Sequence, residues 1–355
     1  MTNKNDNPAA DDELSLTEED GADALPSVRA FKPAEMVACV VCLRANPPTR
    51  MDCLYCGAAL PASVAGEDQR RPALRPLEVW EQGFNVVLVA RATVELDIIQ
   101  MREAVPLLRI ELEQLRALVQ AHPPLPLART KTREEAALVD GKLRGLGWPV
   151  EIVADAELRV ETDAQKRIRK LELGRDAVNG WSSAEGEGAS VPWERVTLLV
   201  TGRIARKRVE VEERRGRRGA ESEMVEAREF HDDESVVDLY FADRMTGWRI
   251  MAENFDYSCL GAAKSLTAAE NFKRLSETFK ERARAARSEH SYASVRHFLK
   301  YAWPLAEQTE AGNLKRIRPG RYNAEAITST TNETQFTRYT RLLQYFRLRE
   351  LSTPA

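Results

Sequence analysis

The sequence has no long apolar run, which limits where the protein can work. No stretch approaches the roughly 18 consecutive apolar residues needed to cross a bilayer. The first residues are polar and acidic, without the apolar segment of a secretory signal peptide. Only five cysteines occur in 355 residues, and four of them have metal-ligand spacing, which suits a reducing compartment. We therefore predict a soluble, cytoplasmic protein.

Catalytic signatures are also missing. The four histidines are scattered, and there is no Gly-rich phosphate loop, Gly-x-Ser-x-Gly or His-Glu-x-x-His. His231-Asp232-Asp233-Glu234 offers metal-ligand types, but adjacent residues rarely point at one ion, so we interpret this run as a turn between strands. Cys259 follows an aromatic-rich strand and is interpreted as a buried small hydrophobe. We predict that the protein is not an enzyme.

The strongest chemical signal is a pair of Cys-x-x-Cys motifs separated by ten residues. Each motif forms a turn in which two thiolates converge, and two such turns complete a tetrahedral shell for Zn²⁺. A closed shell of four thiolates leaves no open position, so the predicted site is structural. Gly57 suits the left-handed exit of the second turn. The predicted zinc ligands are Cys39, Cys42, Cys53 and Cys56.

Two other interpretations of these cysteines exist. Two disulfides are disfavoured without a signal peptide, and a redox Cys-x-x-Cys pair belongs on a strand-helix unit that is missing here. We therefore predict a zinc ribbon over residues 35–60. The segment resembles the zinc-ribbon knuckles of many bacterial regulatory and translation-linked proteins. Such knuckles serve nucleic-acid binding, protein contacts or folding alone.

Length and charge predict several domains. A chain of 355 residues is expected to form two or three domains. The net charge of −3 hides an asymmetry, because residues 1–30 carry eight acids against Lys4 and Arg29. This stretch has almost no aromatic or β-branched residues and predicts a disordered acidic tail. A linker rich in Pro, Arg and Gly follows the ribbon at 61–78.

Residues 80–155 predict a small α/β domain. The apolar run at 84–90 predicts a buried strand, and two apolar helical stripes follow, with Pro106 at the joint between the two helices. Thr132-x-x-Glu135 predicts a capped helix ending at Gly145-Leu146-Gly147. With a short strand after Pro123-Pro124 and another at Val150–Val153, the order is strand, helix, helix, strand, helix, strand.

This order resembles the C-terminal domain of the bacterial ribosomal stalk protein, which recruits translation GTPases. The resemblance rests on the opening strand, the run Leu115-Arg116-Ala117-Leu118-Val119, and the glycine-terminated third helix before Val150. It departs where the family has Gly-Leu-Gly-Leu, since this chain has Pro106-Leu107-Leu108-Arg109. Partial counterparts of the family's factor-binding lysines are Arg102, Arg109 and Arg116.

From about residue 165 the pattern changes to short strands. We predict strands at 167–173, 191–200, 203–212, 235–242 and 247–255. A capped helix from Thr267 then carries Phe272, Leu275 and Phe279 on one face. Strands closed by one amphipathic helix, with the run Pro192-Trp-Glu-Arg-Val196, resemble a pleckstrin-homology-like β-barrel over 165–286. The fold class predicted is multi-domain α+β.

The C-terminal segment 290–350 is predicted to be a basic, aromatic-rich helical tail. Residues 281–350 contain 13 Lys/Arg against seven acids, and nine of the 24 aromatic residues. Asn332-x-x-Gln335 predicts the start of a helix, and its stripe of Phe336, Tyr339, Leu343 and Phe346 is interpreted as docking against its own protein. A nucleic-acid platform is the other interpretation.

Eight basic residues and three acids occupy residues 203–218. Arginine on a flexible loop suits the phosphate groups of nucleic acid or anionic lipid, and the glycines predict a mobile hairpin tip. The other interpretation is a solvated loop neutralised by its glutamates or by the acidic tail. We define these basic residues as the arginine segment: Arg203, Arg206, Lys207, Arg208, Arg214, Arg215, Arg217 and Arg218.

Three functions follow as hypotheses. The leading one is a non-enzymatic, zinc-binding adaptor that mediates protein–protein contacts in the bacterial cytoplasm. The alternative is a protein that binds RNA, DNA or the ribosome through the ribbon and the arginine segment. Peripheral attachment to anionic membranes is the weakest of the three.

Overall fold

A computed structural model describes most of the chain, namely residues 31–61, 72, 74–89, 97–121, 123–183, 186–214, 223–311, 315–318 and 321–352. This part confirms the mixed α+β class, with one large curled half-barrel sheet, two three-stranded sheets and a cluster of four cysteines. The predicted acidic tail at 1–30 lies outside the described residues. So do Arg215, Arg217 and Arg218 of the arginine segment, while Arg214 ends a strand.

The four-cysteine segment, predicted as the zinc ribbon, is the first unit that the structure describes. A pair of two-residue strands, β1 (Val37–Ala38) and β2 (Ala45–Asn46), pairs antiparallel around the first Cys-x-x-Cys turn. An antiparallel bridge between Asp52 and Ala59 surrounds the second turn. Its own apolar core is very small: the buried members are Cys39, Cys53 and Leu60.

The α/β unit has the order of elements that the sequence predicted. β3 is its central strand and pairs antiparallel with β4 and β5. Consecutive apolar residues of β3, namely Val86, Val87 and Leu88, are all buried, so both faces of the strand are covered and buried residues do not alternate with exposed ones. The elements are β3 (Phe84–Leu88), α1 (Ile98–Leu108), α2 (Leu112–Gln120), β4 (Leu125–Thr130), α3 (Arg133–Gly145), β5 (Val150–Ala154) and the short α4 (Asp155–Leu158).

Two predicted details of the helix ends differ in the structure. Pro106 does not mark a joint, because it lies inside α1, where a proline in the last turn removes only one backbone hydrogen bond. The helix ends at Arg109, which is left-handed with φ 54°. Thr132 caps α3 by accepting from the Glu135 N–H at 3.2 Å. The Glu135 carboxylate, however, accepts from the Leu74 N–H at 2.8 Å rather than completing a capping box.

The second half of the described chain is dominated by strands. β7, β8 and β9 form a small antiparallel sheet. The others form the large sheet in the order β14-β16-β10-β11-β12-β6, with β13 beside β10 and β15 beside β16. The bounds are β6 (Lys166–Arg167), β7 (Lys170–Leu173), β8 (Ala177–Trp181), β9 (Ala189–Pro192), β10 (Val196–Arg214), β11 (Glu223–Phe241), β12 (Trp248–Met251), β13 (Arg287–Glu289), β14 (Ala306–Ala311), β15 (Lys315–Arg318) and β16 (Arg321–Thr331).

The predicted strands at 191–200 and 203–212 are one strand in the structure. β10 begins after a 3-10 turn at Trp193–Arg195 and runs unbroken through Gly202. A Cβ on Gly202 would lie 2.5 Å from the Phe336 ring. The glycine therefore gives room for a helix to pack against the strand, and it does not end the strand.

Three helices pack on the large sheet: α5 (Ala268–Arg282), α6 (Tyr292–Leu299) and α7 (Glu333–Ser352). The predicted α5 is confirmed, since Thr267 accepts from the Glu270 N–H at 3.3 Å and the Phe272, Leu275 and Phe279 side chains are buried. They pack in an apolar cluster that also contains Trp193, Phe241 and Trp248.

The aromatic stripe of α7 packs against its own protein, as predicted. Phe336, Tyr339, Leu343 and Phe346 are all buried. Asn332 does not cap the helix through its side chain. Its amide oxygen accepts from the Ala205 N–H at 2.8 Å, because β16 ends here and leaves that edge of β10 without a strand partner, while β11 still pairs with the other edge. The segment 290–350 is also less helical than predicted, since β14, β15 and β16 lie between α6 and α7.

One continuous apolar cluster joins the α/β unit to the large sheet. It contains Val86 and Leu115 from the α/β unit, Ile204 from β10, and Trp303 and Phe336 from the C-terminal segment. The boundaries predicted between the 80–155, 165–286 and 290–350 modules stay predictions. Apolar packing nevertheless continues from the 80–155 module into the 290–350 module.

A buried ionic cluster crosses the same junction. The Asp155 carboxylate is bound by Arg129 at 2.6 Å and by Arg338 of α7 at 2.7 Å, and all three side chains are almost completely buried. It also accepts from the Asn85 amide at 2.9 Å and the Gly83 N–H at 2.8 Å. Burial and the neighbouring Arg338 lower the pKa of Arg129, although Asp155 opposes that change.

We predict that Asp155→Ala lowers the free energy of unfolding by about 3–5 kcal/mol, because it leaves two buried guanidinium groups without a carboxylate. Urea unfolding followed by circular dichroism measures this change. Glu151→Ala is the matched control, since its pair with Arg349 is partly exposed, and it should cost less than about 1 kcal/mol. Equal losses in the two variants would contradict the assigned role of Asp155.

Candidate metal centre

The two Cys-x-x-Cys turns have equivalent backbone geometry. In the first, Cys39 donates its N–H to the Arg44 carbonyl at 2.9 Å. In the second, Cys53 donates its N–H to the Ala58 carbonyl at 2.8 Å. The left-handed position of each turn is occupied by Leu43 (φ 59°) and Gly57 (φ 70°). The predicted left-handed conformation of Gly57 is confirmed. Leu43 takes the same conformation, which costs more free energy for a residue with a side chain than for glycine.

The turns bring all four predicted ligands together. The Sγ atoms of Cys39, Cys42, Cys53 and Cys56 lie within 4.8 Å of one another. Cys39 Sγ is 3.6 Å from Cys56 Sγ, and Cys42 Sγ is 3.4 Å from Cys53 Sγ. A tetrahedral site with Zn–S bonds of about 2.3 Å separates its sulfurs by about 3.8 Å. All four thiols are free, so the disulfide alternative is not the observed state.

Backbone N–H groups stabilise negative charge on two of these sulfurs. The Cys42 N–H lowers the pKa of Cys39. For Cys53 desolvation raises the pKa, but the N–H groups of Tyr55 and Cys56 outweigh it and bring the pKa to about 6. The Ala58 N–H lowers the pKa of Cys56, yet desolvation and the other three sulfurs raise it to about 12. A divalent cation among the sulfurs would supply the missing positive charge, and protons would displace it at low pH.

Asn46 is a part of this site that sequence reasoning missed. Its fully buried amide donates to Cys53 Sγ at 3.5 Å and to the Arg44 carbonyl at 2.8 Å. Its amide oxygen accepts from the Leu54 N–H at 2.8 Å. One side chain therefore ties the first turn to the second and orients a ligand sulfur. No spacing rule marks an asparagine four residues after Cys42, so only the structure identifies it.

Large apolar side chains are exposed on both turns. Five large side chains there are each at least 54% exposed, and the Arg44 guanidinium carbon lies 4.7 Å from the Tyr55 ring centroid. Scattered exposed apolar residues are normal, whereas a contiguous group marks an interaction site. We call these five residues the knuckle tips: Val40, Val41, Leu43, Leu54 and Tyr55.

The described cations of the arginine segment lie in a strand rather than a loop. Arg203 pairs with Asp233 at 3.0 Å, and Lys207 pairs with Glu229 at 2.5 Å. Arg208 pairs with Glu210 at 2.8 Å. Arg206 contacts Asp232, Glu234 and Glu333 at 3.4, 3.1 and 3.6 Å. These four cations therefore all have carboxylate partners, but only Arg208 pairs with a glutamate of its own segment, whereas the neutralised interpretation expected those glutamates or the acidic tail.

His231 to Glu234 form part of β11 and not a turn, because β11 is longer than predicted. Asp232, Glu234 and Glu253 bring three carboxylates within 4.8 Å of one another. The Arg206 guanidinium already supplies a cation to two of them, so this group is an internal ion-pair cluster. Cys259 is partly buried against the α5 cluster, and burial raises its pKa to about 11.

The chain matches no protein-family model, no curated protein and no solved structure. The resemblances to the stalk-protein domain and to the pleckstrin-homology-like barrel therefore rest on the order of elements and the residues quoted for them, and they stay predictions. In the described ranges, no helix combines the length and the apolarity needed to span a bilayer. The predicted cytoplasmic location stays a prediction.

We predict that the purified protein holds one Zn²⁺ per chain and that Cys56→Ser abolishes this stoichiometric binding. Asn46→Ala keeps all four thiols but should lower zinc affinity about 10- to 100-fold, because Cys53 loses its orienting hydrogen bond. Competition with a chromophoric chelator measures both effects. Cys259→Ser is the control and should match the wild type. Zinc binding that survives Cys56→Ser undiminished would contradict the four-thiolate site.

Proposed function

We propose that the protein is a non-enzymatic adaptor whose zinc ribbon docks onto another protein. The observation that carries the proposal is the apolar surface of the knuckle tips. Five of the large exposed apolar side chains in the described part of the chain fall within sixteen consecutive residues. Burial of such side chains drives association, and rigid anchors lose little conformational entropy when they bind.

The metal centre gives this surface its rigidity. The ribbon's own buried core is too small to hold two turns in place. Four metal–sulfur bonds would fix both turns relative to one another, and Asn46 adds a hydrogen-bonded link. In this proposal zinc holds the docking surface in shape and performs no chemistry, which fits a closed four-thiolate shell.

The α/β unit offers a second docking surface in this proposal. A cavity of about 670 Å³ lies where α1 and α3 end, with an apolar lining from Pro106, Leu107 and Leu146 and charged groups at Arg109 and Lys142. The resemblance to the ribosomal stalk protein implies protein contacts for this unit. The large sheet with α5 then serves as the scaffold that carries both surfaces.

The adaptor role is tested by capture from an extract of the source cells, treated with nuclease and compared between variants. Val40→Ser, Val41→Ser and Leu54→Ser are combined in one triple variant, which should lower the amount of specifically captured protein at least about tenfold. Quantitative mass spectrometry of the eluates measures this loss.

The matched control for the triple variant is Leu266→Ser, which removes a fully exposed leucine elsewhere on the surface. It should capture the same proteins as the wild type. Zinc content of the triple variant, measured in parallel, must remain stoichiometric. An unchanged set of captured proteins, with zinc retained, would reject the knuckle tips as a docking surface.

Nucleic-acid binding through the arginine segment is the alternative function. Because the described cations are paired with carboxylates, phosphate contacts would fall mainly to Arg214, Arg215, Arg217 and Arg218. Replacing these four with serine should reduce the slope of log affinity against log salt by about 3–4. Fluorescence anisotropy with labelled RNA and DNA measures the slope, with Arg203→Ser as control. Unchanged affinity for RNA and DNA would show that the arginine segment does not bind nucleic acid. Flotation with anionic vesicles tests the membrane alternative.

A further inference from the structure

An open groove lies between β10, α5 and the start of α6, away from the ribbon. Its volume is about 390 Å³, within the range of small-molecule sites. One wall is the Thr201–Arg203 stretch of β10 with Ser235 of β11. The opposite wall is one face of α5, and His290 and Ala293 close one end. The α5 face consists of Phe272, Lys273, Ser276, Glu277 and Lys280.

Positive charge exceeds negative charge around this groove. Within the described residues, neither Lys273 nor Lys280 forms an ion pair with a carboxylate, even though Glu277 lies on the same helix. Arg203 and Arg296 share one carboxylate, that of Asp233, at 3.0 and 3.8 Å. With the Glu289 carboxylate at the start of α6 included, four cations therefore surround three carboxylates. The remaining positive charge attracts an anion.

The start of α6 adds uncharged donors at the closed end. The Glu289 carboxylate accepts from the N–H groups of His290 and Ser291 at 2.9 and 2.8 Å. The next two N–H groups, those of Tyr292 and Ala293, have no acceptor among the described residues. The first N–H groups of a helix lack intrahelical partners and are suited to anions. Ala293 itself lines the groove, so the start of α6 lies at the site.

His290 connects a lysine to the strand wall. Its Nδ1 is 3.2 Å from Thr201 Oγ1, and its Nε2 is 3.4 Å from Lys280 Nζ. Thr201 donates its hydroxyl proton to the Glu289 carbonyl at 3.4 Å, so it accepts from His290. Nδ1 therefore carries the proton, and Nε2 accepts from the Lys280 ammonium. This chain of hydrogen bonds holds the Lys280 ammonium at the mouth of the groove.

We propose that this groove binds the phosphate group of a small phosphate monoester. A phosphate group is anionic and is attracted by the excess positive charge, and its oxygens accept several hydrogen bonds at once. The lysines supply the charge, and the α6 N–H group supplies a fixed donor. The aromatic ring in the groove, that of Phe272, is buried and cannot stack on a base, which disfavours a nucleic-acid strand. This inference does not depend on the adaptor proposal.

Isothermal titration calorimetry on the full-length protein tests the groove with three probes: glycerol 3-phosphate, inorganic phosphate and glycerol. We expect saturable binding of glycerol 3-phosphate with a Kd below about 1 mM and no heat from glycerol. Combining Lys273→Gln with Lys280→Gln should weaken binding at least about tenfold, because both lysine cations are lost. Both lysines are exposed, so the melting temperature of the unliganded variant should not change.

Lys166→Gln is the charge-matched control, since it lies on β6, three strands from β10 in the sheet. Its affinity for glycerol 3-phosphate should equal that of the wild type. If inorganic phosphate binds as tightly as glycerol 3-phosphate, the ligand is free phosphate. If inorganic phosphate binds more weakly than glycerol 3-phosphate, the ligand is a phosphate ester. The proposal is overturned if no phosphate probe gives saturable binding, or if the double variant and Lys166→Gln bind equally well.

Discussion

The Asp155 carboxylate, buried between two arginines, is the interaction on which the arrangement of the described chain depends. It receives hydrogen bonds from β3, from β4 and from α7, three segments far apart in sequence. A buried carboxylate with incomplete partners is very costly, and so is a buried guanidinium. The three segments therefore satisfy these charges only in one relative position. The adjoining apolar cluster supplies most of the burial, whereas the ionic group determines how the pieces align.

α7 shows how far this constraint reaches. Besides its aromatic stripe it buries Arg338, Arg341 and Gln344, side chains that normally face water. A second buried pair, Arg249 with Asp238, binds the hydroxyls of Thr337 and Thr340 on the same helix. The helix thus uses its apolar side chains to pack against one part of the protein and its polar side chains to hydrogen-bond to others. It links the α/β unit and the large sheet into one packed structure.

The four-cysteine segment is stabilised in a different way from the rest of the described chain. It has almost no core of its own, so four sulfurs around a metal would replace apolar burial as the source of stability. Its large side chains are then available at the surface. The phosphate groove differs again, since it uses lysines and a helix start rather than apolar contact. A docking surface for a protein and a site for a small anion can therefore operate in one chain without competing for the same residues.

Local pattern determined the cysteine site, the order of elements in the α/β unit, the α5 face and the apolar stripe of α7, because these depend on spacing within one segment. Tertiary structure decided the rest. Gly202 resembles a strand break, yet it makes room for Phe336. The cations at 203–208 resemble a phosphate-binding loop, yet acids mostly on a neighbouring strand neutralise them. Asp155 and the groove beside α6 draw their roles from partners distant in sequence. Asn46 draws its role from partners two to eight residues away, and no local spacing rule encodes any of these pairings.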